Sequence, residues 1–262
     1  MQNPLIQTKM LCEDFTGILL KYTAGRSSCQ FMKICGLNKT TLLDYPDLVA
    51  ATVFLAGCNF RCPFCHNRSL VLEAASCPSL SQEEILTFLK KRQGILDGVC
   101  ITGGEPTLND DLENFLFQIR QLGYKIKLDT NGSRPDILKY LTSQKLIDKI
   151  AMDIKSSPEN YSRLCGLENP NLEQINQSIA FLLGNTIDYE FRTTVVRELH
   201  TEEDFQKISL WIQGAKACYL QAYKDSEEVI KPGFSSYSRK ELENFRRILL
   251  NTVSTVEIRG MD

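Results

Sequence analysis

The stretch Val49–Asn67, "VAATVFLAGCNFRCPFCHN", decides the fold. Its opening, VAATVFLAG (49–57), reads as a buried-type strand, since an unbroken apolar run is what a strand covered on both faces of a parallel sheet shows. The run ends at Gly57 in a loop carrying Cys58, Cys62 and Cys65 at C-x₃-C-x₂-C spacing. Thiolates are ligands of zinc and of iron–sulfur clusters. Three of them are one short of a structural zinc site. His66 adjoins Cys65 directly, so joint tetrahedral binding would be strained; Cys77 is the other candidate, and no second C-x₂-C pair is present. A four-iron cluster on three cysteines keeps one iron open, as a substrate-binding metal centre requires. The open cluster is the preferred reading, with zinc as the alternative.

Outward from this loop, strands and helices alternate. GVCIT (98–102), YKIKLDT (124–130), DKIAMDIK (148–155), IDYEFRTTVV (187–196) and KACYLQAY (216–223) read as strands, and VSTVEIRG (253–260) as a short closing one. Helices are expected from Ser81, where Glu84 completes a capping box, and over 110–123, 135–144, 171–184 and 201–214. A last helix starts at Ser238, again with Glu241 three residues on. Repeated units of this size give a parallel sheet with helices on its outer face. Six core units fall short of eight, so the expected fold is α/β: a partial (β/α)6 TIM-like barrel, parallel strands inside and helices outside. Upstream, MKICGL from Met32 starts like a strand. Residues 1–31 show weak periodicity and a TAGRSS patch. They read either as an N-terminal extension, disordered or packed as an arm, or as sequence upstream of a functional start at Met32.

Composition narrows the function. The 262 residues are 43% hydrophobic and 24% charged, ordinary for a soluble globular chain, with a net charge of −2. Nothing suggests a basic nucleic-acid face or a polybasic membrane segment, and no apolar run nears the roughly 18 residues of a membrane span. No signal-peptide pattern opens the chain, so a cytoplasmic location is expected. Seven of the ten cysteines (Cys12, Cys29, Cys35, Cys77, Cys100, Cys165, Cys218) lack metal spacing and read as apolar filler or surface thiols.

In barrels of this kind the chemistry sits at the C-terminal ends of the strands. The polar motifs fall there. TGGEP follows the second strand: Gly103 and Gly104 let the backbone approach a ligand, Glu105 offers a carboxylate, and Pro106 fixes the turn. DTNG ends the third strand and MDIK the fourth. A turn explains Asn131-Gly132 but not an aspartate ending each of two neighbouring apolar strands. Asp129 and Asp153 should lie close together and need compensation, from a bound cation or from Lys155; a surface salt bridge is the plain alternative. Arg192 points into the barrel if its strand alternates, either toward a ligand or toward an ion pair with Glu190.

With these motifs in this order, CNFRCPFC resembles the signature of the radical S-adenosylmethionine (SAM) enzymes. The resemblance spans about Met32 to the C-terminus, making 32–262 a radical SAM domain. It implies that Cys58, Cys62 and Cys65 hold a 4Fe–4S cluster whose open iron binds SAM through its amino and carboxylate groups. One electron then breaks a carbon–sulfur bond, leaving methionine and a 5′-deoxyadenosyl radical that abstracts hydrogen. It also implies that Phe64 lies against adenine, that His66 shapes the loop, and that Gly103, Gly104 and Glu105, with Pro106, meet the SAM amino group. The run GLNKTTLLDYPD…FLAGCNFRCPFCHN is most similar to activating proteins of anaerobic ribonucleoside-triphosphate reductase; activators of pyruvate formate-lyase share CHN and DTNG. In such activators the DTN and D-x-K motifs bind a monovalent cation and the SAM carboxylate. Here Asp129, Thr130 and Asp153 would take the cation and Lys155 the carboxylate, with Asn131 and Arg192 in the same cofactor-binding set. No protein acid or base is implied, since SAM carries the chemistry. The implied partners are a glycyl radical enzyme as protein substrate and an electron donor such as flavodoxin or ferredoxin, with no nucleic acid or membrane. Two positions depart from the pattern: Asp47 stands where these activators usually show Gly, and Lys224 where the family often has a ribose-contacting His. A radical SAM enzyme for a small molecule and a non-enzymatic zinc or iron–sulfur module are the alternatives from other classes.

Overall fold

The computed structural model describes residues 32–261; both readings of 1–31 concern residues outside it. Eight strands form one sheet in sequence order: β1 (Ile34–Thr41), β2 (Ala50–Leu55), β3 (Gly98–Gly103), β4 (Lys125–Thr130), β5 (Lys149–Asp153), β6 (Asp188–Val195), β7 (Ala217–Ala222) and β8 (Thr255–Arg259). β1 runs antiparallel to β2, and every later neighbour is parallel. β2 to β7 are the six expected barrel strands. β8 extends the parallel run, and β1 forms the opposite edge. Among the described residues β1 and β8 do not pair, so the barrel is open along one side.

The helices are α1 (Arg68–Leu72), α2 (Gln82–Lys90), α3 (Leu112–Gln121), α4 (Pro135–Ser143), α5 (Tyr161–Cys165), α6 (Leu172–Leu183), α7 (Glu202–Trp211) and α8 (Arg239–Leu249). Of the longer ones, all but α3 start at a side-chain cap or a proline. Ser81 with Glu84 and Ser238 with Glu241 form capping boxes, as does Thr201 with Asp204. The apolar face of each goes inward: Phe115, Leu116 and Ile119 of α3 and Phe205 and Ile208 of α7 are fully buried against the sheet. The short helices α1 and α5 are absent from the sequence expectation, because five residues carry too little periodicity to read. Asp47 takes a left-handed φ of 68°. That explains why glycine suits the position, and Asp is among the few other residues that tolerate it.

The two layers differ in character. The face of the strands toward the helices is apolar, while the barrel interior on β4 to β7 carries Lys127, Asp129, Asp153, Glu190, Arg192, Thr194 and Gln221. Alternation within each strand produces this division.

Candidate functional site

The loop after β2 is held by backbone contacts from three directions. Gly104 N–H donates to Leu55 O and Glu105 N–H to Gly57 O, both at 2.8 Å. Arg61 N–H donates to Cys165 O at 2.8 Å, Lys231 N–H to Pro63 O at 2.8 Å, and Ile230 N–H to Cys65 O at 3.1 Å. The cysteine loop is therefore clamped by the β3 turn, the end of α5 and the segment after β7. Two side chains add to the clamp: Asn67 Nδ2 donates to Gly103 O at 2.7 Å, and Asn131 Nδ2 to Asn59 Oδ1 at 2.8 Å.

Cys58, Cys62 and Cys65 line a cavity of about 240 Å³ at the C-terminal ends of the strands, shared with Phe64, His66, Gly103, Gly104, Asp129, Thr130, Asn131, Asp153, Lys155 and Arg192. The topology thus brings together residues spread over more than half the chain. Cys62 is buried and the other two cysteines are half-buried. Among the described residues no three His, Cys, Asp or Glu side chains converge on one metal-ion position. Thiolates held by separate irons need not converge so, and three cysteines beside open space fit a cluster with one unsatisfied iron.

Gly103 and Gly104 are required sterically. A Cβ on Gly104 would lie 1.9 Å from Gly57 O, and one on Gly103, where φ is 120°, 2.3 Å from Leu55 O. Gly104→Ala must push the turn off the cysteine loop. The expected result is loss of most cluster content and at least about a hundredfold in activity, since a displacement of about 1 Å at a site costs that much. Full iron content and activity in this variant would remove the role given to the close approach.

Glu105 and Pro106 lie behind the cavity wall. Glu105 is fully buried, and its carboxylate accepts from Thr107 N–H (3.1 Å), Thr107 Oγ1 (2.6 Å), Thr130 Oγ1 (2.8 Å) and Asn131 N–H (2.6 Å). It ties the β3 turn to the β4 turn. Burial pushes its carboxyl up, against the pull of these hydrogen bonds.

On the opposite wall the two aspartates are compensated by side chains. Arg192 bridges them, Nη1 at 3.0 Å from Asp129 Oδ2 and Nε at 2.9 Å from Asp153 Oδ1. Lys127 Nζ meets Asp129 Oδ1 at 2.6 Å, and Lys155 Nζ meets Asp153 Oδ2 at 3.0 Å. Burial alone would raise the Asp129 carboxyl; Arg192 and Lys127 override it and hold it at about 2. Asp153 is lowered in the same way by Arg192 and Lys155 against its burial. Arg192 therefore pairs with both cavity aspartates, and no ion pair joins it to Glu190.

Lys127 escapes a sequence reading because a lysine in YKIKLDT looks like a solvent-facing strand position, yet its side chain is only 1% exposed. His200 is also buried. Its Nδ1 accepts from Val196 N–H at 3.1 Å, so Nε2–H donates to Lys155 O at 2.9 Å, and its ring meets Phe64 edge-on at 6.2 Å. It thereby supports both Phe64 and the Lys155 backbone. Burial lowers its pKa from the ordinary 6.5. With a depressed folded value, its contribution to stability is complete above about 6.5 and is lost as pH falls through the folded value. His200→Gln should therefore lose less stability than the wild type between pH 7.5 and 5.5 in urea titrations. An equal loss in both proteins would show that His200 is not the titrating group. His66 Nε2 lies 2.5 Å from Lys224 O and its ring packs on Tyr223, tying the loop's end to the segment after β7.

Comparison with known proteins places this geometry. Residues 52–212 match the Radical SAM superfamily. A Methanocaldococcus jannaschii protein, provisionally named a glycyl-radical enzyme activating enzyme, is 29% identical over 239 residues, covering 87% of this chain and 96% of its own. Among solved structures, a domain of pyruvate-formate lyase-activating enzyme from Bacteroides vulgatus shares the fold at TM-score 0.51 and 19% identity, over 62% of this chain and 99% of that one. Streptococcus suis SuiB bound to S-adenosylmethionine does so at 0.61 and 15%, over 78% of this chain and 48% of SuiB, so the chain spans about half of that protein. No helix among the described residues is long and apolar enough to cross a membrane. The chain, an enzyme of 4Fe–4S and S-adenosylmethionine chemistry, belongs to the Radical SAM superfamily.

Proposed function

We propose that this enzyme generates a glycyl radical on a partner protein, and that the partner is an anaerobic ribonucleoside-triphosphate reductase. The observation that carries the reading is the end-to-end match to a provisionally named glycyl-radical enzyme activating enzyme, 96% of whose length is covered. The GLNKTTLLDYPD…CHN run favours the reductase over pyruvate formate-lyase as partner. Among the described residues β1 and β8 are the sheet's two edges and do not pair with each other, which leaves room for a glycine-bearing loop to enter from the side.

In this reading Cys58, Cys62 and Cys65 hold the cluster, which supplies the electron that splits the carbon–sulfur bond of SAM. The chain's own residues bind and aim. The backbone at Gly103–Gly104 offers close approach, Phe64 a face for adenine, and Lys155 with Arg192 a positive wall for the carboxylate. Residues 32–262 form the catalytic domain, and a reduced flavodoxin or ferredoxin delivers the electron. A reducing cytoplasm suits the eight described cysteines, all of them free.

The test is anaerobic reconstitution with iron and sulfide, followed by SAM, a reductant and the reductase encoded nearest in the genome. A glycyl radical signal on the reductase by electron paramagnetic resonance is expected. Release of 5′-deoxyadenosine with no radical on the reductase or on a pyruvate formate-lyase homologue would favour a small-molecule substrate. If no 5′-deoxyadenosine forms at all, the enzymatic reading fails.

A further inference from the structure

The sequence resemblance implies a monovalent cation on Asp129, Thr130 and Asp153, and the side chains do not fit one. All four carboxylate oxygens already accept from a cationic group: Asp129 Oδ1 from Lys127 (2.6 Å), Asp129 Oδ2 from Arg192 (3.0 Å), Asp153 Oδ1 from Arg192 (2.9 Å) and Asp153 Oδ2 from Lys155 (3.0 Å). Thr130 Oγ1 donates to Glu105 at 2.8 Å and accepts from Gly132 N–H at 3.1 Å.

The charge balance points the same way. Three cations meet the two carboxylates, Lys155 and Arg192 on the cavity wall and Lys127 buried beneath it. Deeper in the barrel Glu190 and Asp188 are matched by Lys149, 3.4 Å and 3.3 Å from them, and by Arg259, 3.6 Å from Glu190. Glu190 also lies 3.9 Å from Lys127, and neither of its oxygens has a hydrogen bond. The Asp129–Asp153 pair itself already meets three cationic groups, one more than its own negative charges. A metal cation added there would lie within a few ångströms of all three, and like charges at that distance repel.

We propose that the Lys127 ammonium is this protein's built-in cation for the Asp129–Asp153 pair, making SAM binding independent of sodium and potassium. Lys127 is a positioning residue: it is buried beneath Asp129 and acts through that carboxylate and Arg192. The inference rests on the assignment of the cavity to SAM.

Reconstituted holoprotein is titrated with SAM at a constant ionic strength of about 0.1 M, set by tetramethylammonium, sodium or potassium chloride. Wild-type dissociation constants are expected to agree within about twofold across the three salts. Lys127→Met is expected to bind about tenfold more weakly in tetramethylammonium and to recover most of that in sodium or potassium. Tightening of the wild type by alkali cations of about tenfold, or a Lys127→Met protein with unchanged affinity in every salt, overturns the proposal. The wild-type comparison decides on its own if the variant does not fold. If the holoprotein binds SAM in no salt, the cavity assignment fails separately, and ²³Na relaxation still decides without SAM. Excess sodium relaxation in Lys127→Met alone supports the built-in cation; the same excess in the wild type refutes it.

Discussion

Cys62→Ala is expected to reduce iron and sulfide content to background and to abolish the cluster's visible absorbance, SAM cleavage and radical formation together. The effect should be all-or-none. On the proposed ligand set each thiolate would hold its own iron, so two cysteines could not share the load of three. Cys62 is also the most deeply set of the three, and burial pushes its thiol up to about 12. Metal binding would displace its proton to solvent, and Cys62→Ala would delete a proposed ligand in a pocket from which water is largely excluded. Packing is a minor matter, since trimming one buried sulfur costs about 1 kcal/mol. Cys165→Ala is the matched control. Cys165 is buried at the end of α5, and its backbone carbonyl, which the substitution keeps, accepts from Arg61. It should retain the cluster. Retention of iron in Cys62→Ala, or its loss in Cys165→Ala, would overturn the ligand assignment.

Arg192→Leu should be the most damaging change outside the cysteine loop. The guanidinium is 13% exposed and bridges two carboxylates that are 12% and 28% exposed. Removing it leaves Asp129 and Asp153 facing each other with one lysine apiece. Breaking a buried pair from one side costs about 3 kcal/mol or more, because the remaining charge stays desolvated. SAM affinity should fall about a hundredfold as the positive wall is lost. Acid stability supplies a sharper signature. In the wild type Asp129 is held at about 2, below its ordinary 3.8, so its contribution is complete above the ordinary value and is lost as pH falls through about 2. Without Arg192 the folded value rises, and acid unfolding should begin at higher pH. Arg192→Lys should fall between the two, since an ammonium reaches one carboxylate where the guanidinium fork reaches both. A leucine variant with wild-type urea stability and an unmoved acid midpoint would dismiss the bridge.

The strand–helix alternation and the positions of the motifs were legible because apolar periodicity and capping residues are local signals. VAATVFLAG became β2, Ser81 and Ser238 opened helices with both halves of their capping boxes, and CNFRCPFC, GGEP, DTNG and MDIK fell at strand ends. The helix α1 and the helix α5 were not legible, being too short to show a period.

Side-chain partners across the barrel were a different matter. The sequence by itself determined that Asp129 and Asp153 end neighbouring strands and therefore need positive charge nearby. It did not determine which charge. Lys155 was one candidate and a bound cation another, and Arg192 could as well have paired with Glu190, two residues away on its own strand. The open barrel decided it. Parallel pairing sets Asp153 beside Arg192 across β5 and β6, and inward alternation on β4 stacks Lys127 directly below Asp129. Glu105 shows the same limit, since only the packed turns reveal that its carboxylate is enclosed by Thr107, Thr130 and Asn131. Periodicity and capping are written within a dozen residues of chain. Which buried charge meets which is set by strands that close on one another from far apart in sequence, and the cost of leaving any of them unpaired makes that choice specific.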